Sequence, residues 1–149
     1  MRSPALIRTL RALPSPFLFA LRKAIEDNQD DLAPGALYRQ QGGCVVGVML
    51  QTIFPSSFDQ PSIVWLLRRL KRRSIYDDFT GLAREEIRLG HLEMIFDNAT
   101  QDACRAGLNQ KEAAKQVGLQ FLSEINHELI RRSLVKSRAP RLDLPAVVC

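Results

Sequence analysis

The chain predicts an all-α fold, a small bundle of about five to six helices ending in a long C-terminal antiparallel helical hairpin at 81–106 and 110–134. Three observations carry this. Apolar residues recur at three- and four-residue steps over most of the sequence, the spacing of a helical face. Start and stop signals, Ser-Pro pairs and a Gly-Leu-Asn hinge, bracket those stretches. The composition, 46% hydrophobic and 25% charged over 149 residues, is that of a globular chain rather than a disordered or fibrous one. A chain of this length buries roughly two-thirds of its unfolded surface, enough for one core. A single helical domain is therefore expected over 1–135, with a basic N-terminal arm at about 1–14 and a flexible tail at 136–149.

Ser3-Pro4 and Ser15-Pro16 each set a hydroxyl before a proline at the first helical position. The hydroxyl satisfies a free backbone donor and the proline presets φ. These pairs predict helices at about 4–12, cut short by Pro14, and from about 15 to 29, where Phe17, Leu21, Ala24 and Ile25 share a face. Pro34, Gly35, Gly42 and Gly43 punctuate the next segment. In Cys44–Phe54 strand and helix compete: Val45, Val46 and Val48 favour a strand, but the uninterrupted length favours a buried helix. We read it as helix. Pro55–Gln60 reads as a loop, and Pro61 opens a helix to about Arg73.

For the hairpin, Thr80 is an N-cap candidate, and Leu82, Leu89, Leu92, Phe96, Ala99 and Ala103 share one side. Glu85 and Glu86 sit where the helix dipole favours acids. Gly107 supplies the left-handed residue that ends a helix, and Leu108 the apolar contact that follows it. Asn109 caps the next helix, with Glu112 three residues on as in a capping box. Ala113, Val117, Phe121, Ile125 and Leu129 then follow at four-residue steps. So short a connection makes the two helices antiparallel neighbours.

The longest apolar runs, Cys44–Leu50 and Ile63–Leu67, fall far short of the ~20 residues of a transmembrane helix. Prolines at 14 and 16 interrupt what would be a signal-peptide core. The cysteines, Cys44, Cys104 and Cys149, are widely spaced and form no C-x-x-C pair, which fits free thiols in a reducing, cytoplasmic compartment. The net charge of +5 is that of residues 1–25: Arg2, Arg8, Arg11, Arg22 and Lys23 precede the first acid, and the rest of the chain is formally neutral.

Two surfaces are candidates for binding. On a wheel of residues 61–73, Ile63, Val64, Leu66, Leu67 and Leu70 share one side, and Arg68, Arg69, Arg72 and Arg73 surround Trp65 on the other. Such a face suits a macromolecule, with arginines for phosphates and an indole to stack on a base, or an anionic membrane surface. Its structural alternative is arginines meeting the helix dipole while Trp65 packs under an arginine stem. Ile87 and Met94, seven residues apart, lie off the main stripe of helix 81–106. They are either covered by the N-terminal helices or form a dimer interface.

Three motifs point elsewhere. Gly107–Gly118 resembles the opening of a helix-turn-helix unit at Gln110, Ala114, Val117 and Gly118, which would imply DNA reading. The apolar positions its second helix requires hold Glu124 and His127 instead, so one long helix through Gly118 is the simpler account. Gly42-Gly43-Cys44 before an apolar segment suggests a thiol nucleophile at a helix start, with His91 and Asp97 or Asn98 as its partners. Glu124-x-x-His127 has the spacing of a carboxylate-bridged metal helix. It occurs once, and Glu128 with Arg131 and Arg132 makes a salt-bridge face the better reading. No metal or cofactor is expected.

The sequence thus points to a non-enzymatic intracellular interaction or regulatory protein that binds another macromolecule, with homodimerisation through Ile87 and Met94. Nucleic-acid binding through 61–73 is the alternative, and a hydrolase centred on Cys44 a second.

Overall fold

The computed structural model describes residues 3–34, 43–53 and 85–148, with 137–148 as backbone. Within them are five helices, α1 (Pro4–Ala12), α2 (Ser15–Asp27), α3 (Val45–Ile53), α4 (Glu86–Arg105) and α5 (Gln110–Val148), and no strand. The fold is all-α. The segment in which strand and helix competed is helical, and its buried Cys44, Val45, Val46, Val48, Met49 and Leu50 show why it is apolar throughout.

The caps follow from local chemistry. The Ser3 hydroxyl accepts a hydrogen bond from the Leu6 amide at 3.3 Å, with Pro4 in the first turn. Gly107, at φ 115°, ends α4: its amide donates to the Cys104 carbonyl at 3.0 Å and the Leu108 amide to that of Ala103 at 3.2 Å. This is the paired Schellman pattern. Asn109 starts α5 by accepting from the Glu112 amide at 2.8 Å. The hinge lies where the sequence puts it, and α5 passes through Gly118 as one helix.

Two boundaries differ from expectation. Ser15 does not cap α2; Pro14 holds that position without a side-chain bond, because the Ser15 hydroxyl accepts from Arg132 of α5 instead. The backbone of α5 stays helical past Leu134 to Val148. Pro140 and Pro145 each remove one donor from the helical ladder there, while the fixed φ of proline is itself helical.

Helix α5 is the spine, touching α1, α2 and α4; α3 packs on α2 and α4, and α1 lies against α4. Phe96 of α4 and Phe121 of α5 meet edge to face, ring centres 5.9 Å apart, at the middle of the core. Leu6, Leu10, Phe17, Leu21, Ile25, Leu89, Leu92 and Ile125 are among the side chains around it. Before α3, Leu32 and Gly43 form an isolated parallel bridge, with the Ala33 amide donating to the Gly43 carbonyl at 2.9 Å. Among the described residues no helix is long and apolar enough to cross a membrane.

Candidate macromolecule-binding surface

The proposed contact residues Trp65, Arg68, Arg69, Arg72 and Arg73 lie outside the described residues. Ile87 and Met94 are described, 72% and 59% exposed. Helix α1 runs beside them without covering them. Between the two helices is an open groove of about 600 Å³, lined by Ala5, Arg8, Thr9 and Ala12 of α1 and by Ile87, Arg88, His91, Met94 and Ile95 of α4.

The walls differ in kind. That of α1 is shallow, and the Thr9 hydroxyl donates back to the Ala5 carbonyl at 2.8 Å, leaving a satisfied hydroxyl and a methyl group. That of α4 is built from long apolar side chains. Leu6 and Leu10, on the opposite side of α1, are buried, as are Leu89, Leu92 and Phe96 of α4, so both helices are fixed by the core and only their outer stripes form the groove. The polar groups around it are donors: Arg8 and His91 are exposed, and Arg88 gives one nitrogen to Glu85 at 2.7 Å. Among the described residues Arg8 and His91 have no hydrogen-bond or ion-pair partner.

Comparison with protein-family models, curated proteins and solved structures gives no match. Geometry and chemistry alone therefore bear on function.

Cys44 is fully buried, and burial pushes its thiol up to about 12; Glu93 and Asp97 add to this, while a hydrogen bond from the Gly47 amide at 3.4 Å opposes it. A nucleophilic thiol needs the opposite shift. His91 lies in the exposed groove rather than with the buried Cys44.

The Glu-x-x-His pair carries no metal-binding group of three or more ligands among the described residues. Glu124 and His127 approach to 3.9 Å beside a cavity of about 220 Å³. The neighbouring Glu128 does pair with Arg131 and Arg132, but it is not on a solvated face. Glu128 is buried, accepting from Arg131 Nε and Nη2 at 2.9 and 2.7 Å and from Arg132 Nε at 2.7 Å. Hydrogen bonds from Arg131, then Arg132, hold its carboxyl down at about 2 against the opposing effect of burial.

Arg132 does more than pair. Its guanidinium reaches across to the end of α1, donating to the carbonyls of Leu10 and Arg11 at 3.1 Å each, of Leu13 at 2.6 Å, and to Ser15 Oγ at 2.9 Å. A cation thus meets the negative end of the α1 dipole and the carbonyls of its last turn together. Sequence spacing revealed the Glu128 contact, but nothing local in the sequence signals the contact with α1.

Proposed function

We propose that the chain is a non-enzymatic helical interaction protein that binds a protein partner through the groove between α1 and α4. The observation that carries this reading is the exposure of Ile87 and Met94 on a groove whose two helices are both anchored in the core. Large apolar side chains held open between ordered elements gain about 25 cal/mol for each Å² a partner covers. The free thiols Cys44 and Cys104 suit an intracellular, reducing setting.

A photo-reactive amino acid at Met94, in the full chain expressed in its native host, should yield a discrete cross-linked protein. The same group at the exposed Lys115 should not, and Ile87→Asp should abolish the product. Equal labelling at both positions would reject the reading.

The alternative, nucleic-acid binding through Trp65, Arg68, Arg69, Arg72 and Arg73, is favoured by the aromatic-centred basic face in the sequence. It requires affinity that falls steeply with salt and drops when the four arginines become alanine.

A further inference from the structure

We infer that the occupant of the α1–α4 groove is an acidic amphipathic helix of about two turns, and not a second copy of this chain. The inference rests on the reading of the groove as a protein-binding surface and specifies the partner.

Shape supplies the first argument. Ala5 to Ala12 on one wall and Ile87 to Ile95 on the other each extend about 10–12 Å at 1.5 Å per residue, two helical turns. Ala5, Thr9 and Ala12 project little, so a third helix can bring its backbone close to α1. Its apolar side chains then fall between Ile87, Met94 and Ile95. Such pairing of a small-residue wall with a large-residue wall accepts one ridge of a helix, with anchors at i, i+3 or i+4, and i+7.

Charge supplies the second. Arg8 is an exposed cation without an ion-pair partner among the described residues, Arg88 has further guanidinium nitrogens beyond the one given to Glu85, and His91 can donate as well. Among the described residues no carboxylate lines the groove. Donors on both sides of an apolar floor are matched by carboxylates flanking an apolar stripe. A two-fold dimer through this face would set the same patch against itself, bringing donors towards donors, and with Glu85 already engaged by Arg88 the exposed Arg8 would gain no described acid of this face. Like charges so placed cost affinity, whereas an acidic helix relieves them.

The test uses the full chain and synthetic helical peptides of about 16 residues. One carries leucines at i, i+3 and i+7 with glutamates on both flanks; a second has lysines for the glutamates; a third is the first with its order scrambled to remove the stripe. Fluorescence anisotropy should show the acidic amphipathic peptide binding at least about tenfold more tightly than the lysine version, about 1.4 kcal/mol, with no binding of the scrambled one. Added salt should erode the preference, Arg8→Glu should reduce it, and Ile87→Asp with Met94→Asp should remove binding while circular dichroism stays helical.

Equal or tighter binding of the lysine peptide overturns the inference, as does acidic-peptide binding that survives the double aspartate variant. Concentration-dependent dimers in sedimentation, lost with Ile87→Asp and Met94→Asp, would identify a second copy. That result overturns the inference but leaves a protein-binding groove. A chain that binds no peptide and stays monomeric, with no cross-link at Met94, defeats both.

Discussion

Replacing Arg132 with alanine tests whether a single guanidinium holds α1 on the bundle. It donates five hydrogen bonds: to the carbonyls of Leu10, Arg11 and Leu13, to Ser15 Oγ and to Glu128. Leu13 is almost wholly buried, so removal strands its carbonyl where water reaches poorly, while the Leu10 carbonyl keeps the Leu13 amide. Each such orphan costs about 1–3 kcal/mol, and breaking a buried charge network about 3–5 kcal/mol. The Arg132 side chain is 22% exposed, so some solvent enters, and Glu128 keeps Arg131; the expected loss is about 3 kcal/mol. Arg132→Lys retains the charge but not the planar fork that spans several carbonyls, and should lose about 2 kcal/mol. Urea denaturation followed by circular dichroism reads both as a drop in midpoint at constant slope. If Arg132→Ala lost less than about 1 kcal/mol, or if lysine restored the wild-type midpoint, the guanidinium would not be what holds α1 on the bundle.

Glu128 titrates at about 2 in the fold, below its ordinary value of 4.5, so its ion pairs stabilise fully above about 4.5 and are lost as pH falls towards 2. The urea midpoint should decline across that window, and less steeply in Glu128→Gln. Cys44, buried with its thiol pushed up to about 12, should resist iodoacetamide at pH 8 until the chain unfolds, while the part-exposed Cys104 reacts; mass spectrometry distinguishes them. Gly90 has open space where a Cβ would stand, so Gly90→Ala should stabilise by up to about 1 kcal/mol. A Cβ at Gly118 would overlap Leu32 Cδ1, so Gly118→Ala should lose that gain and more; equal stability of the two variants would contradict the packing of Leu32 on α5.

What was legible in the sequence is what neighbours in sequence decide. Ser3-Pro4 and Gly107-Leu108-Asn109 act within a turn of themselves, and both caps form where the spacing puts them. Ile87 and Met94 were visible as apolar residues off the main stripe, and they are exposed. The opposite wall of the groove was not visible, because Ala5, Thr9 and Ala12 are small residues that leave no apolar period. Ser15 departs from its spacing for a related reason: its local capping role yields to Arg132, 117 residues away. Long-range polar contacts of this kind depend on which helices meet, and no spacing rule carries that information.

Helix α1 is nine residues long, too short to persist in isolation. Its place depends on Leu6 and Leu10 beneath it and on Arg132 at its end. A short helix held at so few points is the kind of unit that opens by local unfolding. Since it forms one wall of the groove, the fraction of molecules with α1 seated sets the fraction able to bind. The guanidinium of Arg132, which does not line the groove, thereby adjusts affinity from the C-terminal end of that helix.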